Sequence, residues 1–385
     1  LRRKYIGLDF AEESKSALVA EMALHLKEEK FLIVAAVVAV IAYLLEHALM
    51  EGGRGIALAA AVALIATIVL ASMRVAHHAE LLAVKVGDPY GTMILTLSAV
   101  AVEVIILAIM MNSEDSSPTL VRDTIYSALM LDINGILGLA ALLGGLKHGE
   151  QPYNDNSGKT YGVMILTAMG ISMIVPEFVP HDKWHYYSGF TIIAMIALYG
   201  LFLRMQVGQH SYFFSYSYPR SERQKEHPDE HHQEGSVATS ITIILIGVVI
   251  IGTLAEFMSG FMTEGLRDTG APIAVTAIVV AAISAAPEIL TALRAALRNR
   301  MQATVNIAMG ASLSTVILTV PVMEAIALYT GQPFVMAMSP VQTVMVAITL
   351  IAAAINLNDG ETNAIEGMTH FILFATFIML TAIGL

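Results

Sequence analysis

Two glutamates stand in stretches that otherwise belong in hydrocarbon. Glu103 is set in Ser98-Ala-Val-Ala-Val-Glu103-Val-Ile-Ile, and Glu288 in Ser284-Ala-Ala-Pro287-Glu288-Ile-Leu. A charged side chain at the centre of a bilayer costs roughly 2.5–3.5 kcal/mol on insertion scales, so a carboxyl group there points to a use. The chemistry open to it is proton uptake or the binding of a dehydrated cation. A divalent cation such as calcium takes about 6–8 oxygens at a flexible site, and paired carboxylates would offset its charge. Hydroxyls lie at matching distances along the chain. Ser127 follows Glu103 by 24 residues, and Ser312 follows Glu288 by 24. Ser127 and Ser312, with backbone carbonyls and water, are therefore candidate partners of the two glutamates. Pro287 has no N–H to give, so a kink that exposes carbonyl oxygens is expected beside Glu288.

Other polar residues in apolar stretches are weaker candidates. Glu256, Asp132 and Asn306 could serve a proton or ion pathway; the alternative for Glu256 is an interface-facing residue near a span end, and Asp132 and Asn306 could equally hold helix contacts. His77-His78-Ala-Glu80 is not the zinc motif His-Glu-x-x-His and reads as an interfacial cluster. Glu46, Glu177 and Glu324 fall near the ends of apolar runs and are expected to meet water. The 22 methionines read as packing or lipid-facing residues.

The elements that position these groups must be membrane helices. The 385 residues are 56% hydrophobic and 14% charged, with a mean hydropathy of +0.69, against about 25% charged in average soluble domains. A span needs roughly 20 apolar residues. Eleven candidates occur: Phe31–Met50, Ile56–His78, Gly91–Met111, Thr119–Leu146, Tyr161–Val179, Tyr186–Met205, Val237–Phe261, Pro272–Leu297, Ala303–Leu328, Met338–Leu357 and Glu366–Leu385. In lipid, backbone groups must be satisfied internally, and runs this long without strict alternation are helices, giving an all-α polytopic protein. Eleven crossings place 17 of the 21 Lys and Arg residues on the side of the N-terminus and only Arg54, Arg122, Lys183 and Arg267 on the other. The positive-inside rule then predicts a cytoplasmic N-terminus and an external C-terminus in a cell inner membrane.

Residues 1–30 form a charged, partly amphipathic segment, and 31–50 an extra helix. The His/acid-rich stretch 206–236, containing Glu226–Glu234, reads as a solvated cytoplasmic linker. It divides a five-helix unit at 56–205 from another at 237–385. An odd number of spans per unit inverts the second relative to the first, as in many secondary transporters. With no Cys, thiolate catalysis and Cys-ligated metal sites are excluded. No nucleophile motif, zinc signature or cofactor motif is present, so an enzyme is not expected. No basic patch with interleaved aromatics supports nucleic-acid binding.

The chain resembles the cation/proton exchanger branch of the calcium/cation antiporter superfamily, and within it the bacterial ChaA-type calcium/proton antiporters. The similarity rests on the two glutamate segments, Gly87-Asp-Pro-Tyr-Gly91, Arg122-Asp-Thr-Ile-Tyr126-Ser127, Pro287-Glu288, Asn306-Ile-Ala-Met-Gly310-Ala-Ser312, Val320-Pro321-Val322 and the His/acid-rich linker. It covers most of the chain beyond the first span. It implies ten core helices plus one, with Glu103 and Glu288 as the central ion-binding pair and Glu256 at the place of a family glutamate. The implied activity is calcium export in exchange for protons by alternating access. The wider family often has Gly-Asn before each key glutamate, whereas this chain has Ala99-Val100 and Ser284-Ala285. Sodium or potassium therefore stands beside calcium as the exchanged ion. A cation channel is the alternative of a different class.

Overall fold

The computed structural model describes residues 29–86, 90–112, 117–207, 236–270, 274–332 and 334–385. The linker stretch Glu226–Glu234, the N-terminal segment before Glu29 and Gly87-Asp88-Pro89 lie outside these described residues.

The described chain is almost wholly helical. In order it forms α1 (Lys30–Glu51), α2 (Arg54–Val86), α3 (Tyr90–Met111), α4 (Leu120–His148), α5 (Asp155–Phe178), α6 (Trp184–Val207), α7 (Val237–Leu266), α8 (Ala274–Ser284), α9 (Ala286–Leu297), α10 (Met301–Thr330), α11 (Pro340–Asn356) and α12 (Ala364–Ala382). Eight of these helices are long and apolar enough to cross a bilayer alone. α8 and α9 form one bent pair, and α3 and α11 carry shorter apolar stretches. Eleven crossings are compatible with this arrangement.

Alternation across the membrane is visible in contacts between helix ends. Arg54 at the start of α2 donates from Nη1 to the Arg267 carbonyl just after α7, at 2.9 Å. At the opposite face Lys147 near the end of α4 donates to the Leu297 carbonyl at the end of α9, at 2.8 Å. A two-residue antiparallel ladder pairs Gln151 with Thr362 and Pro152 with Glu361 on that same face.

Burial separates core helices from lipid-facing ones. The apolar windows of α4 and α10 are 72% and 67% buried, against 17–39% for the other long helices. These two therefore form the centre. α1 exposes Val34, Val37 and Leu44 and packs on α2 and α7. α2 and α7 lie antiparallel in close contact: a Cβ on Gly247 would fall 2.4 Å from Val75, and one on Gly265 2.6 Å from Leu58. Small residues let membrane helices approach in this way, where no hydrophobic force drives them together. α4 packs against α12, and α10 against α6.

α4 and α10 share an internal irregularity. Each changes to π-helix, at Met130–Leu137 and Thr315–Thr319. The first begins 27 residues after Glu103 and the second 27 after Glu288. π-Helical insertions inside α-helices are frequent at functional sites, because the wider turn re-aims side chains.

The expected kink is present. The chain bends by 58° at Ala285, and α9 restarts with Pro287 in its first turn. Pro287 cannot donate to the carbonyl of Ile283, four residues back, so one helix cannot run through. Its counterpart α3 runs unbroken past Glu103. α2 is longer than its apolar run, extending to Val86. His77, His78 and Glu80 thus lie within this helix, since the backbone ladder continues where apolar composition stops.

Candidate cation site

Glu103 sits on α3 and is 3% exposed. Its Oε2 accepts hydrogen bonds from Thr315 Oγ1 at 3.0 Å and Thr319 Oγ1 at 3.1 Å, both in the π-helical turn of α10. Its Oε1 is buried and has no partner among the described residues. Asp132 sits in the π-helical segment of α4 and is 2% exposed. Its Oδ2 accepts from Ser312 Oγ of α10 at 3.1 Å, while Oδ1 has no partner among the described residues. Glu288 occupies the first turn of α9, at the positive end of that helix dipole, where negative charge is favoured. One of its oxygens, Oε2, is likewise buried and unpartnered among the described residues. Asp132 lies within electrostatic reach of Glu288 and, more weakly, of Glu103.

Three helices of one half and its counterpart therefore direct three carboxyl groups toward the centre, each keeping a free acceptor. A buried acceptor left without a hydrogen is costly. A proton or a cation would satisfy it. Among the described residues, no three acidic or histidine side chains lie close enough to clasp one ion as they stand. Hydroxyls, carbonyls and water are the oxygens that would have to complete a shell.

Asp123, also buried, shows what a structural carboxylate looks like here. It receives Arg122 Nε at 2.8 Å, Gln342 Nε2 at 2.9 Å and Thr119 Oγ1 at 2.7 Å. Arg122 also donates to the Ala337 carbonyl at 2.9 Å. This network ties the start of α4 to α11 and the segment before it.

A cavity of about 400 Å³ reaches Glu288 from the side on which α2 ends. Its wall includes His77 and Glu80 from α2, Ser98 from α3, and Thr291 and Arg294 from α9. Glu80 and Arg294 in this wall are exposed. His78 is 5% exposed and bonds Glu29 at 2.8 Å, while Arg74 makes a bidentate pair with the same carboxylate.

The remaining sequence candidates divide. Ser312 joins the site through Asp132. Ser127 is buried but donates to the carbonyl of Asp123, one turn back in its own helix, at 2.6 Å. Asn306 accepts from Gln302 Nε2 at 2.9 Å, and Gln302 in turn bonds Ser157 and the backbone of Asn154. Asn306 thus belongs to a polar contact between α10 and α5. Glu256 lies on the exposed face of α7. One expectation is corrected: Glu324 does not meet water at a span end. It is 2% exposed, because the start of α6 and the chain after α10 cover it. Glu46 and Glu177 are exposed as expected.

Thr315 and Thr319 were not singled out in the sequence. The available signal is the row Ser312, Thr315, Thr319, spaced by three and four along one helix face. The buried set of His370, Asn134 and Thr349 was also missed. Asn134 bonds His370 Nδ1 at 2.8 Å and Thr349 Oγ1 at 2.7 Å, joining α4 to α12 and α11.

Comparison with known proteins gives the class. The model of the family described as sodium/calcium exchanger protein matches residues 56–208 and again 239–382. The chain belongs to this family of membrane transporters. It is 34% identical over 317 residues to the sodium-potassium/proton antiporter ChaA of Escherichia coli, covering 81% of this chain and 86% of that one. It is 25% identical over 326 residues to the Ca2+/H+ antiporter ChaA of Bacillus subtilis, covering 83% and 89%. The native YfkE structure shares the fold with a TM-score of 0.72 at 16% identity, covering 92% of this chain and 99% of that one. The H+/Ca2+ exchanger CAX structure does so at 0.60 and 16% identity, covering 92% and 88%. The resemblance to cation/proton exchangers read from the sequence motifs agrees with these relatives.

Proposed function

We propose that this chain is a cation/proton antiporter, exporting calcium in exchange for protons by alternating access at a site shared by Glu103 and Glu288 and extended by Asp132. The observation that carries the reading is the set of three carboxyl groups on α3, α4 and α9, each with a buried oxygen that has no partner among the described residues, one of which, Glu288, lines a cavity. Protons and a cation compete for these oxygens. Two or three carboxylates offset a divalent charge, and Thr315, Thr319 and Ser312 supply neutral hydroxyls. In this reading the cavity that reaches Glu288 is the inward-facing approach to the site. A return through the protonated form requires one element with two positions, biased by both ligands. α2 and α7, the antiparallel pair that opens each half, are the moving pair in this reading. It extends the two separate family matches into two inverted five-helix repeats, at 56–205 and 237–385, joined by the 206–236 linker.

Sodium or potassium exchange is the second reading, favoured by the name of the 34% identical relative. Proteoliposomes loaded with calcium, sodium or potassium and given a pH gradient decide between them. Uphill movement of one ion coupled to proton flow in the opposite direction supports exchange. Movement only down the ion's own gradient would show a channel instead.

The side assigned to the cytoplasm rests on charge and is open to a direct test. The chain has no native Cys. Single cysteines at Ser236 and Leu385 are expected to react with an impermeant maleimide from opposite sides of oriented inner-membrane vesicles, with Ser236 on the cytoplasmic side. Reaction of both from one side would overturn the eleven-crossing arrangement.

A further inference from the structure

A further buried carboxyl group with an unpartnered oxygen among the described residues lies on the opposite face of the molecule from the cavity that reaches Glu288. Glu324 is 2% exposed on the last turns of α10. Its Oε1 faces Ser188 Oγ of α6 at 3.4 Å, and its Oε2 has no partner among the described residues. It lines a second cavity of about 440 Å³, whose wall also includes Pro176, Trp184, Tyr187 and Phe334. That cavity lies on the side of the membrane where α5 and α10 end and α6 begins. Thr319, whose hydroxyl is bonded to Glu103, sits on the same helix, on the inner side of Glu324. From the geometry we infer that Glu324 is a proton-accepting station, which takes protons from the outer cavity and stands on their route to Glu103. The inference rests on the exchange proposed above.

The chemistry selects a proton over a metal cation. Calcium demands about 6–8 oxygens, usually with more than one carboxylate. This cavity presents a single carboxyl group, one serine hydroxyl near it and mostly apolar walls. Other titratable groups do not compete for the role. From α6, His185 is exposed and Tyr187 donates its hydroxyl to the Ile171 carbonyl at 2.7 Å. From the turn that closes α5, Glu177 is exposed. The segment 334–339, Phe-Val-Met-Ala-Met-Ser, carries no titratable group. From α3, which packs against the outer part of α10, the facing group is Glu103 itself. Glu324 is thus the carboxyl group between the outer cavity and the central site. An intramembrane carboxyl group is costly to keep unless it is used.

The test separates this inference from the exchange it rests on. In lipid films of the full chain, infrared difference spectra between acid and alkaline pH are expected to show a carboxylic C=O band, part of which is lost in Glu324→Gln. In oriented proteoliposomes, Glu324→Gln is expected to displace the dependence of exchange on outer pH by about one unit, a tenfold change in apparent proton affinity. Its dependence on inner pH should stay in place. Glu324→Asp keeps the carboxyl group and should restore the outer profile. Ser188→Ala should move the profile in a correctly folded protein even where Glu324→Gln is poorly produced. An outer pH profile identical in Glu324→Gln and the unaltered protein, or an infrared band unaffected by the substitution, would overturn the inference. Absence of any exchange by the unaltered protein would instead count against antiport, with the infrared band still deciding whether Glu324 titrates.

Discussion

Glu103→Gln and Glu288→Gln are each expected to bring cation/proton exchange to background in a protein that still folds. Glutamine keeps the shape and one oxygen but cannot carry charge or exchange a proton. Removing one member of a buried charged set costs on the order of 3–5 kcal/mol, or roughly a hundredfold or more in affinity. Neither substitution should cost much stability. Glu103 Oε2 is already bonded to Thr315 and Thr319, so glutamine can keep both bonds through its carbonyl. Glu288 stands at the cavity end with a free oxygen, and its loss should leave the fold nearly untouched. Exchange at native rates by either variant, with normal insertion and thermal stability, would refute a shared site.

Asp132→Asn is expected to weaken cation binding by roughly tenfold to a hundredfold, as suits loss of about 1.5–3 kcal/mol at a charged group. Asp132 faces Ser312 across the contact between α4 and α10 and reaches toward Glu288. Its charge would act on an ion held by the glutamates without needing to touch it. Ser312→Ala should cause a smaller loss in the same direction, because it removes one donor and leaves the carboxylate in place. Calorimetric titration of the purified variants with calcium, sodium and potassium reads both effects. Native affinity in Asp132→Asn would reassign that carboxyl group to helix packing.

Much of this arrangement can be read without coordinates, for identifiable reasons. Hydropathy alone locates eleven apolar runs, because the bilayer fixes the length and polarity of a span. The cost of charge in hydrocarbon singles out Glu103 and Glu288, and Pro287 announces the break that ends α8. What the sequence hides is direction around each helix. Ser127 and Ser312 share a 24-residue offset, yet one bonds back to its own helix and the other crosses to Asp132. Glu256 sits in an apolar run like Glu103 but lies on the exposed face of α7. Thr315 and Thr319 are inconspicuous because threonine is common where membrane helices pack. Their aim at Glu103 comes with a π-helical turn that no residue type announces. Glu324 looks solvated by its distance along the chain and is buried by the segment that follows it. Hydropathy measures depth along one helix, and cover by other elements is a tertiary property.

The measurement closest to the central claim is the number of protons released when a cation binds. Calorimetry of the purified protein in buffers of different ionisation enthalpy gives that number without any transport step. Competition at Glu103, Glu288 and Asp132 predicts net proton release on binding, greater at acidic than at alkaline pH, and its loss in the Glu103→Gln, Glu288→Gln double variant. Cation binding with no proton release at any pH, or release undiminished in the double variant, would contradict it.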